Sequence, residues 1–347
     1  MRVLITGGAG FLGLHIARFF AKKKWDIKIL DIAAFPQEEY PEGTEYLHGD
    51  VRDYEKVSEA IKGCDVVIHA AAALPLRSRH EIISTNVDGT RNILAECLKQ
   101  KIVRAVYISS TAVYGVPKKH PVYEDDPLVG VGPYGESKIS AEKVCEEYRK
   151  KGLIVTVIRP KTFLGTHRLG VFEILFDWIK DGKKIPLIGT GENRYQLLEV
   201  DDLVEAIYSC IVHKKEQDIN TEFNVGALKF GHIKNDLLDM FKAVESHSTI
   251  FPTPAAPIKL ALYIFEKLKL SPLYQWVYAT ADKDSFVSID KIIKATKWQP
   301  KYSNTEALVK AYQWYETNYE EIKSRPSGTT HTVGWKQGIL GLFKRFM

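Results

Sequence analysis

Two kinds of hydrophobic pattern alternate along the first half of the chain. Short apolar runs predict strands at residues 2–6, 26–31, 45–48, 65–70, 103–109 and 153–159. Longer stretches with apolar residues at helical spacing predict helices at 11–24, 53–62, 80–100 and 133–151. Each predicted helix is long enough to cross over between two parallel strands. The order therefore predicts an α/β fold, a doubly wound parallel sheet of the Rossmann type.

The pattern breaks into shorter pieces after residue 160, where Gly, Pro and aromatic residues become frequent. Helical spacing there predicts helices near 171–181, 201–213, 231–246, 255–281 and 304–322. We therefore expect a Rossmann domain over residues 1–160, to which parts of 190–225 return. A smaller, interleaved C-terminal substrate lobe follows over 161–322, and a basic amphipathic tail over 323–347.

The first strand leads directly into Thr6-Gly7-Gly8-Ala9-Gly10-Phe11-Leu12-Gly13. Glycines at positions 7, 10 and 13 permit a tight turn, a bare backbone beside a phosphate, and close packing of the next helix. A pyrophosphate can then bind at the amino end of that helix, where N–H groups and the helix dipole favour anions. The second strand ends at Asp31, whose carboxylate is placed to accept from ribose hydroxyls and to repel a 2′-phosphate. The stretch predicts NAD rather than NADP.

Other strand ends supply further predicted cofactor contacts. Asp50 and Val51 follow the third strand. The Asp50 carboxylate either accepts from the adenine amino group or caps the next helix. Small side chains at Ala70 and Ala71 leave room for a cofactor across the fourth strand. The predicted cofactor residues of the loop and the strand ends are Gly7, Gly10, Phe11, Leu12, Gly13, Asp31, Asp50, Val51, Ala70 and Ala71.

A tyrosine and a lysine four residues apart carry the candidate chemistry. Tyr134 and Lys138 share one face of a predicted helix. A nearby ammonium stabilises a phenolate, which can then accept a proton from an alcohol. Ser110, at the end of the fifth strand, is predicted to hold the reacting oxygen by a hydrogen bond that strengthens as charge develops. Such a pair is usually a solvated helix face, but the upstream glycine loop favours a catalytic role.

Together, TGGAGFLG, Asp31, SSTAVYG (109–115) and YGESK (134–138) resemble the extended short-chain dehydrogenase/reductases, the NAD-dependent epimerase/dehydratase family. The resemblance covers about residues 1–322 and includes Asn86 and the pair Arg159-Pro160. It implies that Ser110, Tyr134 and Lys138 are the catalytic residues, with Tyr134 and Lys138 also touching the cofactor. It further implies that Asn86 braces the active-site helix beside the cofactor, that Arg194 binds a substrate diphosphate, and that the chain forms a homodimer.

The chain also departs from the family pattern. Sugar-nucleotide 4,6-dehydratases carry an Asp-Glu pair where Thr111 and Ala112 stand, which disfavours dehydration. Thr162 replaces the Asn of many epimerases and is similar to the Thr of uronic acid epimerases. An R-x-G-D stretch that supplies a second arginine in the family is replaced by residues 281–285 (ADKDS). The predicted substrate-binding residues are Thr111, Thr162, Arg168 and Arg194.

These features favour an NAD-dependent sugar-nucleotide epimerase acting on a UDP- or dTDP-hexose or a uronic acid. One alternative is a dehydrogenase of the 3β-hydroxysteroid or sterol type, because residues 255–280 are apolar and aromatic. Core helices of the small lobe are the preferred explanation of those residues. A non-catalytic NAD-sensing module is a minor alternative, since a sensor needs neither Tyr134 nor Lys138.

Composition and charge limit the kinds of partner that the chain is expected to bind. The formal net charge of +5 comes from five basic residues after Glu321, so residues 1–322 are balanced and give no support to nucleic-acid binding. Four scattered cysteines predict reduced thiols and no metal site. We expect a cytoplasmic protein. Apolar residues at helical spacing in the tail (Trp335, Ile339, Leu342, Phe346) leave two options, peripheral membrane contact or packing on the body or a partner subunit.

Overall fold

A computed structural model describes residues 1–268, 273, 275–324, 339–344 and 347. Its strands are β1 (Arg2–Thr6), β2 (Asp26–Asp31), β3 (Glu45–His48), β4 (Val66–His69), β5 (Arg104–Ile108), β6 (Val155–Pro160), β7 (Phe163–Leu164), β8 (Lys184–Ile188), β9 (Leu198–Glu199), β10 (Glu222–Val225) and β11 (Thr249–Thr253).

The helices alternate with these strands in the first half of the chain and dominate the second half. They are α1 (Phe11–Lys22), α2 (Tyr54–Ile61), α3 (Arg79–Ile83), α4 (Gly89–Lys99), α5 (Gly132–Lys150), α6 (Val171–Lys180), α7 (Val200–Val212), α8 (Glu216–Ile219), α9 (Ile233–Ala243), α10 (Ala255–Lys267), α11 (Gln275–Thr280), α12 (Asp290–Thr296), α13 (Asn304–Thr317), α14 (Tyr319–Ser324) and α15 (Ile339–Lys344).

A parallel sheet of seven described strands forms the centre of the molecule, in the order β10-β6-β5-β4-β1-β2-β3. Its inner strands are buried on both faces, which explains their nearly continuous apolar sequences. The predicted doubly wound Rossmann fold is confirmed. Sequence patterns identified the first six strands but not β10, Glu222–Val225, whose four residues include the polar Glu222 and Asn224.

The substrate lobe contains two small parallel pairs, β8 with β11 and β7 with β9. None of these strands was predicted, since β7 and β9 have only two residues each and a proline stands inside each of β8 and β11. A separate hydrophobic cluster holds the lobe together and joins α6, α9 and α13 through side chains such as Phe176, Met240 and Tyr315. The lobe therefore has its own core beside the sheet.

Helix α10 differs from the expectation that residues 255–281 are core helices of this lobe. Leu262 is the one described residue of α10 that is buried. Leu260, Tyr263 and Ile264 are 61%, 45% and 48% exposed, so the apolar side of the helix faces outward. For α10 the core interpretation is wrong.

The segment predicted as one helix over 80–100 is interrupted. A π-helical turn, Ser84–Asp88, separates α3 from α4. The Thr90 hydroxyl donates to the carbonyl of Asn86 (2.7 Å), so a side chain takes an acceptor that the helix ladder would otherwise use. Single π turns of this kind are frequent at functional sites.

The described part of the tail packs on the substrate lobe. The Lys344 ammonium lies 2.5 Å from Asp177 Oδ2 and 2.7 Å from Asp181 Oδ2, at the end of α6. Leu340 and Met347 contact the hydrophobic cluster of the lobe. Trp335 and Phe346, two of the residues behind the membrane alternative, lie outside the described residues. None of the described helices combines the length and the apolar character needed to cross a membrane.

A buried ion pair fixes α5 to the sheet. Glu142 on α5 accepts from Arg159 at the end of β6, with Nη2–Oε2 at 2.6 Å and Nε–Oε1 at 3.0 Å. Arg159 Nη1 also donates to the Tyr114 hydroxyl at 2.7 Å. Both charged side chains are less than a tenth exposed. Loss of one partner would therefore leave the other charge desolvated.

Glu142→Gln should lower the free energy of unfolding by about 3 kcal/mol, because the Arg159 guanidinium stays buried without a carboxylate. Denaturant titration measures this loss. Glu146→Gln is the matched control on the same helix, since Glu146 pairs with Lys150 at the surface; its effect should stay within about 0.5 kcal/mol. Equal losses in the two variants would contradict the anchoring role.

Candidate active site

A cleft of about 1400 Å³ lies at the carboxyl edge of the sheet, where parallel strands of an open α/β fold commonly bind ligands. The substrate lobe forms its other side. Most of the predicted site residues line this one cleft. They are Gly7, Gly10, Phe11, Leu12, Asp31, Asp50, Val51, Ala70, Ala71, Ser110, Thr111, Tyr134, Lys138, Thr162 and Arg168.

The glycine loop approaches the backbone after β4 too closely for side chains. Gly7 has φ of +69°, and a Cβ there would lie 2.7 Å from the Ala71 nitrogen. A Cβ at Gly13 would lie 2.4 Å from the Gly8 Cα, so Gly13 packs α1 against the loop and does not line the cleft. The Tyr40 hydroxyl donates to the Gly8 carbonyl (2.7 Å) and braces the loop, a contact that no sequence motif predicted.

Asp31 stands at the cleft wall at the end of β2. Its two carboxylate oxygens accept from the backbone N–H groups of Ala9 (3.0 Å) and Ala33 (2.9 Å). These bonds fix the carboxylate beside the glycine loop, where it can still accept from ribose hydroxyls and repels a 2′-phosphate.

The structure decides against one of the two roles considered for Asp50. Asp53, and not Asp50, caps α2 by accepting from the Glu55 and Lys56 N–H groups. Asp50 instead lines the cleft and pairs with Arg52 (Nη2–Oδ2 2.6 Å). Hydrogen bonds from Arg52 lower the pKa of this carboxyl. Helix capping by Asp50 is therefore wrong, and the adenine contact stays a prediction.

Lys138 is buried in α5 beneath Tyr134. Its ammonium donates to the Ile108 carbonyl (2.9 Å) and lies 5.8 Å from the Tyr134 ring centroid and 4.9 Å from that of Tyr107. Burial lowers the pKa of Lys138 to about 8. The ammonium form therefore still predominates at pH 7, and its charge favours a phenolate at Tyr134.

Ser110 begins a short 3₁₀ turn, Thr111–Tyr114. Its Oγ accepts from the Ala112 N–H (3.1 Å), which orients the hydroxyl at the cleft wall. Within the described part of the chain no acceptor takes the Ser110 hydroxyl hydrogen. That hydrogen is available to a substrate oxygen.

Asn86 lies behind the cleft wall, where it is 1% exposed and is not among the residues that line the cleft. Its Oδ1 accepts from the Ala73 N–H (2.8 Å), and its Nδ2 donates to Ser137 Oγ (2.9 Å). Ser137 in turn donates to the Tyr134 carbonyl (2.7 Å). Asn86 therefore positions the first turns of α5, which corresponds to the brace implied by the resemblance.

Arg168 and Thr162 lie where the substrate lobe meets the cofactor loop. The Arg168 guanidinium is buried and stacks 5.1 Å from the Phe11 ring and 5.5 Å from the Phe163 ring. Thr162 Oγ1 lies 3.3 Å from the Tyr195 hydroxyl. Thr111 is buried at the wall and donates to the Pro160 carbonyl (3.3 Å). These three residues stay candidates for substrate binding.

Arg194 is not at the cleft. It is exposed, and its guanidinium stacks on Phe286 (4.5 Å) and Phe230 (4.9 Å) instead of forming the predicted diphosphate contact. Its backbone N–H is held by Asp284 Oδ1 (2.8 Å). The resemblance implied a diphosphate contact for this arginine, whereas in the structure its guanidinium stacks on aromatic rings and does not line the cleft.

Lys161 is a cleft residue to which the sequence analysis gave no role. It follows β6 directly, is 3% exposed and donates to Ser285 Oγ (2.7 Å). Burial lowers the pKa of its ammonium to about 7. The sequence signal that could have identified Lys161 as a site residue was its position directly after Arg159-Pro160, at the carboxyl end of a predicted strand.

The geometry of the wall fits NAD. The side-chain-free turn at Gly7, the carboxylate of Asp31 and the Tyr134 and Lys138 pair all line the same cleft. No group of three or more His, Cys, Asp or Glu side chains in the described ranges is placed to hold a metal ion.

Comparison with known proteins gives the class. The sequence matches the NAD dependent epimerase/dehydratase family over residues 3–226, more than half of the chain, and the protein belongs to that family. The predicted family and the predicted cofactor, NAD, are confirmed. The function is of the NAD-dependent sugar-nucleotide epimerase/dehydratase kind, as its relatives indicate.

Three relatives show how far the similarity extends along the chain. Protein y4nG of Sinorhizobium fredii is 33% identical over 341 residues, 98% of this chain and 84% of the relative. A UDP-glucose 4-epimerase of Halalkalibacterium halodurans is 26% identical over 91% of this chain and 96% of its own length. The N-acetyl-α-D-glucosaminyl-diphospho-ditrans,octacis-undecaprenol 4-epimerase of Escherichia coli O157:H7 is 34% identical over 59% of this chain and 61% of its own length.

A solved structure shows the same fold. The UDP-glucuronic acid 4-epimerase of Bacillus cereus, in complex with UDP-glucuronic acid and NAD, superposes with a TM-score of 0.75 at 20% identity. The match covers 92% of this chain and all of that chain (100%).

A buried histidine, His69, lies behind the site and is hydrogen-bonded to two threonines. Thr90 donates to the Asn86 carbonyl, so Thr90 Oγ1 must accept from His69 Nε2–H (3.0 Å). His69 Nδ1 is then the acceptor for the Thr6 hydroxyl (2.6 Å), which fixes one neutral tautomer. Burial, together with the Lys138 charge, lowers the pKa of His69 to about 3.

This pKa predicts a pH-dependent stability. Below the unfolded His pKa of ~6.5 the unfolded chain binds a proton that the folded chain does not, so stability falls by about 1.4 kcal/mol per pH unit as pH decreases toward 3. His69→Gln keeps a donor and an acceptor but does not titrate. The stability advantage of the wild type over this variant should therefore shrink from pH 7 to pH 5 in denaturant titrations. Exposed His247→Gln is the control. A constant difference between wild type and His69→Gln would refute a neutral, buried His69.

Proposed function

We propose that the protein is an NAD-dependent epimerase of a nucleotide sugar, acting through a transient ketone. The observation that carries the proposal is the convergence of Ser110, Tyr134 and Lys138 on the cleft that also holds the glycine loop and Asp31. A binding module has no use for a tyrosine above a buried ammonium.

The two residues that follow Ser110 favour inversion over dehydration. Elimination of water needs an acid and a base next to the reacting alcohol. Thr111 donates to the Pro160 carbonyl, and Ala112 offers only a methyl group. Neither side chain gains or loses a proton in the pH range in which a carboxyl pair would act as acid and base.

Each of the three residues has a separate role in the oxidation of the substrate alcohol. The Tyr134 phenolate accepts the hydroxyl proton, and the Lys138 ammonium stabilises that phenolate. The Ser110 hydroxyl donates to the reacting oxygen as it becomes a carbonyl. NAD, when bound, supplies the hydride acceptor and returns the hydride. Tyr134 then gives its proton back to the oxygen.

The proposed inversion requires space in the cleft for the ketone to turn over between the two hydride transfers. Inversion requires the ketone to present its opposite face before it is reduced. The cleft, at about 1400 Å³, is larger than the roughly 300–1,000 Å³ of typical ligand pockets, which supports a site that holds NAD together with a sugar that turns over. The Asn86–Ser137 bond and the Glu142–Arg159 pair keep α5, and with it Tyr134, in place while the sugar turns.

Tyr134→Phe should lower turnover of a nucleotide sugar by at least about 10³-fold while NAD stays bound, because only the proton acceptor is removed. Turnover is measured by nucleotide-sugar chromatography and NAD by its release on denaturation. Exposed Tyr123→Phe is the control. Retention of wild-type turnover by Tyr134→Phe would contradict the assignment.

A second candidate is a lipid alcohol or a lipid-linked sugar. The outward apolar side of α10 favours it, with Leu260, Ile264 and Leu268 between 48% and 61% exposed. Glu266 of the same helix lines the cleft, so this surface adjoins the cleft. The relative in Escherichia coli is named for a sugar carried on diphospho-undecaprenol.

The double substitution Leu260→Ser and Ile264→Ser separates the two candidates. If the substrate is a soluble nucleotide sugar, turnover should change by less than about twofold, because both side chains lie outside the cleft lining. If the substrate is lipid-borne, turnover of undecaprenyl-diphosphate-linked N-acetylglucosamine in detergent should fall at least tenfold. A substrate assay of wild type and variant with both compounds decides between the candidates.

A further inference from the structure

A histidine on the second turn of α1, His15, joins the cofactor helix to the substrate lobe. Its side chain is 8% exposed, and its Nε2 lies 3.0 Å from the Thr166 carbonyl oxygen. Its Nδ1 lies 3.2 Å from Asp201 Oδ1, in the first turn of α7. One imidazole ring therefore ties α1 both to α7 and to the loop of the lobe that contains Thr166.

The two partners of His15 determine its protonation state. A backbone carbonyl can only accept a hydrogen bond, and the same is true of a carboxylate. Asp201 is ionised at neutral pH, because hydrogen bonds from His15 and from the Lys310 ammonium (Nζ–Oδ2 2.6 Å) lower its pKa. Both ring nitrogens must therefore carry a hydrogen, so His15 is an imidazolium when both bonds are present. A neutral ring would turn a lone pair toward one of the two acceptors.

The loop that His15 holds carries side chains of the cleft. His167 and Arg168 follow Thr166 directly, and both line the cleft. His167 has φ of +66°, a strained conformation that persists only where the surrounding structure holds it. The His15 ring packs edge-on against Phe11 (centroids 5.3 Å), and the Arg168 guanidinium lies 5.1 Å from the same Phe11 ring. A movement of the loop would therefore displace Arg168 from the cofactor helix.

The other charged or titratable groups around His15 have their own partners. These groups are Glu199, Lys310, Arg18, His167 and Arg168. Lys310 pairs with Glu199 (Nζ–Oε1 2.9 Å) as well as with Asp201. Arg18 Nη1 lies 3.4 Å from His167 Nε2, and because a guanidinium can only donate, His167 accepts there in its neutral form. Asp201 is thus the carboxylate that faces the charge on His15.

We propose that His15, as an imidazolium, is the positioning residue that holds the loop of Thr166 and Arg168 on the cofactor helix, so that a nucleotide sugar binds most tightly when His15 is protonated. This inference rests on the proposed function and names a pH control of that same site. His15 does not line the cleft, so it acts through the loop. Histidine changes charge near neutral pH, and the second hydrogen bond is lost when the proton leaves.

The first measurement is the protonation state of His15 in the full-length, NAD-bound protein with 15N-labelled histidine. The NMR signal that is absent from His15→Gln identifies the residue. Two protonated ring nitrogens are expected at about pH 6, and one at about pH 9. A single N–H on the His15 ring at about pH 6 would overturn the inference.

The second measurement is the affinity of the NAD-bound protein for UDP-glucose between about pH 6 and about pH 9, by titration calorimetry. Burial lowers the pKa values of Lys138 and Lys161 to about 8 and about 7, so both titrate in every variant. His15→Gln supplies one amide for two acceptors and does not titrate. It should bind UDP-glucose about 3- to 10-fold more weakly than the wild type at the lower pH and equally at the higher pH.

Asp201→Asn distinguishes a charge-dependent contact from simple packing. The amide that it introduces can donate to Nδ1 of a neutral His15, while Nε2–H still donates to Thr166. This variant should therefore bind UDP-glucose at least about threefold more tightly than the wild type at about pH 9. His213→Gln is the matched control, because it removes a histidine that pairs with Asp218 outside the cleft. Its affinity should follow that of the wild type at every pH.

The same pH dependence in the wild type and in His15→Gln would overturn the inference, while turnover of a nucleotide sugar would keep the proposed function. Asp201→Asn binding as weakly as His15→Gln at the higher pH would also overturn it, since the contact would then be structural only. A pH dependence that requires His15, without any turnover, would support the inference and remove the epimerase. If the protein bound no UDP-glucose at any pH, both would be wrong.

Discussion

The desolvated ammonium of Lys138 is the constraint around which the site is built. Burial disfavours the charge of Lys138 and the nearby Glu142 carboxylate favours it, while the ammonium donates to the Ile108 carbonyl and faces the rings of Tyr107 and Tyr134. A small displacement of α5 would break these contacts. The protein therefore anchors that helix from several sides, through Asn86 and Ser137 at its first turns and through Glu142 and Arg159 one turn further on.

The two sides of the cleft differ in chemistry. The cofactor side consists of backbone, small residues and the Asp31 carboxylate, which suits a dinucleotide held mainly by N–H groups and ribose contacts. The lobe side is largely apolar, with Phe172, Leu187 and Leu237 among its lining residues. Lys161 and Arg168 are two cations within that apolar surface, and a low local dielectric strengthens their attraction for an anionic substrate.

Sequence patterns predicted the sheet well because buried parallel strands and their crossover helices have long, periodic signals. The strands of the substrate lobe were not predicted because two of them have only two residues and the other two, β8 and β11, each contain a proline. Motif reasoning likewise found Gly7, Asp31 and the Tyr134 and Lys138 pair, since turn geometry and helical spacing fix their neighbours locally.

Positions that depend on tertiary packing were predicted less well. Arg194 was assigned by analogy, but stacking on Phe286 and Phe230 carries it away from the cleft. Asn86 acts through Ser137 and does not line the cleft, and no local pattern reveals such an indirect contact. Lys161 carried no motif, and its burial at the cleft becomes visible only in the folded chain.

The central claim is inversion through a ketone without removal of any carbon-bound proton to solvent. The most direct measurement is the conversion of a nucleotide sugar, UDP-glucose or UDP-glucuronic acid, by the NAD-bound protein in deuterium oxide, followed by NMR and mass spectrometry of the product. The account predicts a sugar inverted at one carbon, of unchanged mass, with hydrogen retained at every ring carbon. Deuterium on a ring carbon, or a product that has lost water, would contradict it.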